Sequence, residues 1–490
     1  MNSPIRKVSA GCLLLALALL ANVSWVQAFQ ADSLNARDDN RRVLIDQYSN
    51  NRGSIIVGNE EIVSSTESDG QFAYQREYHQ PEMYAHLTGY YSFIFGRSQI
   101  EDSQNEFLAG TADGLFVRRL ADLITGEETQ GGSVVLTIDP AAQQAAWDAL
   151  GDFKGAVVAI EPSTGRVLAA VSKPSYDPSP LASHSIEEQQ AAWDEFLAQE
   201  ELGSDSAVRN RATSETLPPG SVFKLVTAAA ALESGSYEPS SVVPGPAVMN
   251  LPGTESATLP NYNGQPCGAN DQTTITNALR ISCNTAFGYL GDQLGDEVLR
   301  EQAERFGFET RPLEEVTSGA SKFPGDPNRP QLIQSAIGQF DVQVTPLQVA
   351  MVTAAIANNG ELMQPYLVDE IRDSDLVGVL ERTDPEVLSE AISPSTAQEL
   401  RRMMVDVVEN GTGQAAQMPG IQVGGKTGTA QRGEDDTNIA WFTSFAPADN
   451  PQVAVAVVIE EAPGVGNDEI AGGRLAAPVA RAVMEAVLGS

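Results

Sequence analysis

The chain has 490 residues, 42% hydrophobic and 19% charged: enough apolar material for a large folded core, and too long for one small domain. Asp and Glu number 65 against 30 Lys and Arg, a formal charge of −35 that argues against phosphate backbones as partners, so no nucleic acid is expected. Three cysteines and three histidines are too few for a Cys/His metal framework, and no metal or cofactor is expected.

In chain order, Arg6 and Lys7 precede an apolar run from Ala10 to Phe29. About twenty such residues span a bilayer core, and basic residues on the leading side place the N-terminus in the cytoplasm. Residues 1–30 are therefore expected to be a cytoplasmic tip and a single-pass anchor, with the remainder outside the cell membrane. The competing reading is a cleaved export signal ending near Val26-Gln27-Ala28. Either way residues 31–490 are exported, and the remaining pair Cys267 and Cys283 is expected to form a disulfide.

Asp38–Tyr48 reads as a short helix, and Asn50-Asn51-Arg52-Gly53 as a turn into a strand over Ser54–Val57. Gly58-Asn59 turns that strand back into Glu60–Ser64. Residues 65–110 are polar and weakly periodic, expected as an irregular β-rich region. A second regime begins near Gly131: an apolar run, Val134–Ile138, then a helix over Ala141–Leu150 and a hairpin of Gly155–Ile160 with Val167–Val171. Helices follow at Ser221–Ser234, Thr273–Ile281, Asn284–Leu294 and Thr345–Asn358. Strands return at Ile421–Val423, Ala440–Ala446 and Val453–Ile459, before a last amphipathic helix, Ala476–Leu488. The pattern predicts an α/β (α+β) fold whose antiparallel sheet takes strands from both ends of one domain and is covered by helices.

No histidine lies in a nucleophile motif and no Gly-x-Ser-x-Gly elbow occurs, which leaves a Ser-His-Asp hydrolase without support. Of six lysines, two stand in chemically suggestive places. In Pro218-Pro219-Gly220-Ser221-Val222-Phe223-Lys224 the serine opens a helix and the lysine lies three residues on, on the same face. Burial would lower the lysine's pKa and let its amine take the serine proton. In Gly424-Gly425-Lys426-Thr427-Gly428-Thr429 a lysine and two hydroxyls can grip a carboxylate, and Gly428 permits close backbone approach. Ser282-Cys283-Asn284, between two helices, says little alone, since Ser-x-Asn recurs at 33–35, 49–51 and 103–105.

Together, Ser-x-x-Lys, Ser-x-Asn 61 residues later and Lys-Thr-Gly-Thr a further 144 on follow the order of penicillin-binding proteins and serine β-lactamases. The chain resembles a class B penicillin-binding protein, of a length similar to the actinobacterial penicillin-binding protein A group. Arg52-Gly53-Ser54-Ile55 is similar to that family's signature in its non-catalytic pedestal, and Glu161-Pro162-Ser163-Thr164-Gly165 to the opening of its transpeptidase domain.

The resemblance implies a pedestal or dimerisation domain over 31–130 and a penicillin-binding transpeptidase domain over 131–490. Peptidoglycan stem peptides ending in D-Ala-D-Ala would be the substrate and β-lactam antibiotics would acylate the site. A membrane glycan polymerase and division or elongation proteins would be partners. Ser221 would be the nucleophile, Lys224 the base, Ser282 a proton relay, and Asn284 would orient the donor amide. Lys426, Thr427, Gly428 and Thr429 would bind the terminal carboxylate, and the backbone N–H groups of Ser221 and Thr429 would hold the oxyanion. A D,D-carboxypeptidase or β-lactamase shares these motifs, with water as acceptor. A non-catalytic penicillin-binding scaffold is the further alternative.

Overall fold

The computed structural model describes residues 2–30, 48, 50–69, 72–112, 115, 130–374, 378–431 and 438–489. The helix expected at Asp38–Tyr48 lies outside these apart from Tyr48. At the N-terminus a helix runs Asn2–Trp25, and its Pro4–Trp25 stretch is long and apolar enough to cross a membrane and is not buried by the described residues.

Two sheets organise the rest. The first has six strands in the order Val379–Arg382, Val368–Arg372, Ser133–Leu136, Ile55–Val57, Glu60–Glu67, Tyr74–Tyr78. Ile55–Val57 runs parallel to Ser133–Leu136, and the other pairs are antiparallel. The sheet therefore joins segments more than 300 residues apart, because the apolar run at 134–136 needs two neighbours and finds one on each side of the sequence. Residues 65–110 are more helical than their polarity suggested, with helices at Pro81–Thr88, Gln99–Ser103 and Asn105–Leu108. The first is started by proline at its first turn and buries Met83, Tyr84 and Leu87. These helices are short, and their buried faces are fixed by packing on the sheet rather than by sequence periodicity.

The second sheet has five antiparallel strands in the order Gly424–Ala430, Ile439–Ala446, Val453–Glu461, Lys154–Ile160, Val167–Lys173. As expected, its strands come from both ends of the domain. Val453–Ile459 reads as an unbroken apolar run because both faces are covered. Alternate residues separate cleanly: Val157, Ala159, Val455 and Val457 pack with the helices Pro140–Leu150 and Ala477–Leu488. Ala156, Val158, Ala454 and Ala456 belong to the larger core that includes Pro346–Ala357. That last helix is buried along its whole length and is capped by the Thr345 side chain on the Gln348 N–H, with Pro346 behind it. The strand expected at Ile421–Val423 is displaced: the edge strand is Gly424–Ala430, and 421–423 lead into it. A Gly-Gly-Lys-Thr-Gly run has low strand propensity, and its pairing with Ile439–Ala446 overrides that preference.

Candidate active site

The nucleophile motif sits on a tight turn. Gly220–Phe223 is a single 3-10 turn feeding the helix Lys224–Glu233, so Ser221 stands just ahead of the α-helix rather than at its cap. Backbone bonds from outside hold the turn. Leu217 and Val344 exchange N–H to carbonyl bonds, both 2.9 Å, and the Gly220 N–H donates to the Gly338 carbonyl at 2.9 Å. Trp441 Nε1 donates to the Pro218 carbonyl, 2.9 Å. Gly220, at φ +52°, lies so near the edge strand that a Cβ there would fall 2.5 Å from the Thr429 carbonyl oxygen. The Ser221 side chain is half-buried and faces a cleft of about 770 Å³.

Lys224 and Lys426 are both fully buried and meet behind the cleft wall at Ser282. Lys224 Nζ donates to Asn284 Oδ1 at 2.7 Å, to the Ser282 carbonyl at 2.8 Å and to Ser282 Oγ at 3.4 Å. Lys426 Nζ donates to Ser282 Oγ at 2.9 Å and to the Thr427 carbonyl at 2.8 Å. The two ends of the constellation, more than 200 residues apart, therefore meet at one hydroxyl. No carboxylate is among these partners. Burial pushes the Lys224 amine well below the usual lysine value, with the charge of Lys426 adding to the shift, and burial lowers Lys426 to about 7. Ser282 itself stands at φ +60°, a region unfavourable to a residue with a Cβ, between the helices Ile275–Arg280 and Asn284–Leu294.

The remaining motif residues complete the cleft wall. Thr427, Gly428 and Thr429 line it from the edge strand, and the Thr427 hydroxyl bonds Thr412 Oγ1 at 2.6 Å. At Gly428 the close approach is by protein: a Cβ would meet Trp441, the Pro219 carbonyl and Val222 at 2.9–3.0 Å, so the glycine lets the serine's turn press on the strand. Cys267 and Cys283 are joined by a disulfide. Among the lining residues that the sequence reading did not single out are Thr412, Asn261 and Arg474, the last the one charged side chain among the described lining residues. Nothing in their local sequence marks them, since Asn-Tyr-Asn-Gly and Gly-Thr-Gly read as turns. A groove of similar size, about 760 Å³, between Tyr74–Tyr78 and the helix Ile186–Glu201 contains none of the motif residues and no lysine.

A serine lining one cleft with a hydroxyl that two buried lysines share, on a helix-covered antiparallel sheet, fits a serine acyl-transfer enzyme. Comparison with known proteins narrows the class. The penicillin-binding protein transpeptidase domain matches residues 155–485, and the penicillin-binding protein A dimerisation domain matches residues 52–134. Peptidoglycan D,D-transpeptidase PbpA of Mycolicibacterium smegmatis is 43% identical over 501 residues, covering 100% of this chain and 99% of that protein. The protein of the same name from Mycobacterium tuberculosis is 43% identical over 499 residues with the same coverage. The structure of M. tuberculosis penicillin-binding protein A as an imipenem acyl-enzyme complex superposes with a TM-score of 0.84 at 41% identity, covering 91% of this chain and 100% of that one. The chain belongs to the penicillin-binding protein transpeptidase family.

Proposed function

We propose that the protein crosslinks peptidoglycan as a D,D-transpeptidase, with Ser221 as the residue acylated by stem peptides and by β-lactams. The observation that carries this reading is the convergence of two buried lysine amines, both lowered by burial, on the Ser282 hydroxyl in the cleft that Ser221 also lines. Ser221 Oγ attacks the penultimate D-Ala carbonyl carbon, and the neutral Lys224 amine takes its proton. The backbone N–H groups of Ser221 and Thr429 hold the oxyanion, each worth about 3 kcal/mol in the transition state. The proton passes by way of Ser282 to the departing D-Ala nitrogen as its C–N bond breaks, leaving an ester on Ser221. An amine of a neighbouring stem then attacks that ester, and its proton returns to Ser221 by the same groups. Asn284 orients the donor amide, while Lys426, Thr427 and Thr429 hold the terminal carboxylate at the edge strand, with Gly428 keeping the strand close to the nucleophile turn.

The apolar helix Asn2–Trp25 is compatible with a membrane anchor. In the same reading residues 1–30 anchor the protein by a single span, 31–130 form the pedestal and 131–490 the catalytic domain outside the membrane. A membrane glycan polymerase and division or elongation proteins are its partners. The Cys267–Cys283 bond tethers the Ser282–Asn284 loop.

Intact mass of the purified protein after fluorescent penicillin treatment, beside Ser221→Ala, tests the core of this. One adduct that persists for hours in the unmutated protein and is missing from the variant is expected. Rapid turnover of the penicillin points to a hydrolase, and no adduct on either protein points to a scaffold.

A further inference from the structure

The helix Asn284–Leu294 begins at the centre of the site, and its first N–H groups have no partner within the helix. The residue at its N-cap is Cys283, whose side chain offers only a disulfide sulfur, 3.4 Å from the Ala286 N–H, a weak acceptor. A stronger acceptor comes from elsewhere. Asn261 Oδ1 accepts from the Asn284 N–H at 3.0 Å, from the Thr285 N–H at 3.1 Å and from the Thr285 hydroxyl at 3.3 Å. Its Nδ2 donates to the Pro246 and Gln265 carbonyls, both 2.9 Å, so oxygen and nitrogen are distinguished by their partners. Asn261 is buried at 6% exposure, and it follows the strand Thr258–Pro260, whose last carbonyl accepts from Asn284 Nδ2 at 2.9 Å. Asn284 is thus fixed at both its backbone and its side chain by one short segment, and its Oδ1 is left aimed at Lys224.

We propose that Asn261 is a positioning residue for acylation, acting through Asn284. It caps the two helix N–H groups that the Cys283 sulfur does not serve and sets where the Asn284 amide meets Lys224. The proposal rests on the site reading above, in which Asn284 takes part in acylation.

The test is a mutant cycle on the full chain, with penicillin acylation rates at saturating ligand measured at each variant's pH plateau. Asn261→Ala is expected to slow acylation about tenfold with the penicillin dissociation constant changed less than twofold, and to have no further effect in an Asn284→Ala background. Asn261→Asp keeps an oxygen that accepts from both backbone N–H groups while setting its second oxygen against the Pro246 and Gln265 carbonyls, so it is expected to lose some rate but to stay within about fivefold of the unmutated protein. This arm stands even where Asn261→Ala fails to fold. Multiplying losses in the double variant, an unchanged rate in Asn261→Ala, or an aspartate no better than alanine overturns the proposal. Normal acylation by Asn284→Ala alone overturns the site reading beneath it instead.

Discussion

The region matched by the dimerisation domain, the pedestal of the proposal above, and the cleft that Ser221 lines both bury or border on buried charged side chains, and they treat them in opposite ways. In the pedestal, Glu101 lies fully buried between Arg52 and Arg76, with Nε to carboxylate distances of 2.7 Å on each side. Burial by itself would raise the Glu101 carboxyl, but the guanidiniums of Arg76 and Arg52 outweigh it and hold the group below its usual value. The carboxylate keeps its charge. In the cleft, the hydrogen bonds of Lys224 and Lys426 among the described residues go to hydroxyl, amide and carbonyl oxygens, and burial lowers both. The same desolvation thus yields a rigid ionic joint where a counter-charge is supplied and a reactive amine where it is withheld.

The largest effect expected from breaking this contrast is on the cleft side. On the proposed mechanism Lys224→Ala removes the base and should slow acylation by penicillin about 10²–10⁴-fold with the fold intact, read by stopped-flow or gel fluorescence and by circular dichroism. In the unmutated protein the acylation rate should rise with pH through a lysine pKa well below the usual value, because the neutral amine is the active form. A rate independent of pH from 5 to 10 would sink Lys224 as base.

On the pedestal side, Glu101→Ala leaves two guanidiniums buried without their carboxylate and should lower unfolding free energy by about 3–5 kcal/mol in denaturant titration, while the folded fraction acylates at the normal rate. Removing the disulfide by Cys267→Ser frees a loop of sequence separation 16 and should cost about 3 kcal/mol in the same assay under non-reducing conditions.

The smallest effect sharpens the comparison most. With Lys426 near 7 in the folded protein and 10.5 otherwise, the unfolded chain holds more protons across that interval. Stability should therefore climb with pH, by about 1 kcal/mol from pH 7 to pH 8 for this group. Lys426→Met should abolish that slope, so its stability advantage over the unmutated protein shrinks as pH rises, even as it loses acylation. A parallel pH dependence in the two proteins would mean that Lys426 is not a desolvated amine.

Much of the fold was legible because local physics and burial agree. The helix at Asn284–Leu294 matches its sequence reading, and the Gly155–Ile160 and Val167–Val171 hairpin is shorter than the observed strands by a few residues at its ends. The reading failed where the backbone takes its conformation from distant partners. Gly424–Ala430 is a strand because Ile439–Ala446 pairs with it, and the helices within 81–108 form against a sheet that closes only when residues 133–136 and 368–372 arrive. Within the site, the order of three motifs exposed Ser221, Lys224, Ser282, Asn284 and Lys426. It gave no hint of Thr412, Asn261 or Arg474, which reach the cleft from turns with no periodic or compositional mark.

What the sequence by itself determined is the class: three motifs in fixed order, strands at both ends around a helical middle, and an apolar N-terminal span, all properties of local residue chemistry and periodicity. Tertiary structure alone decided that two buried lysines 202 residues apart share one serine hydroxyl with no carboxylate bonded to either among the described residues, whereas two arginines near the N-terminal sheet are given one. Desolvation and counter-charge are set by the packed surroundings in three dimensions, and no one-dimensional pattern encodes them.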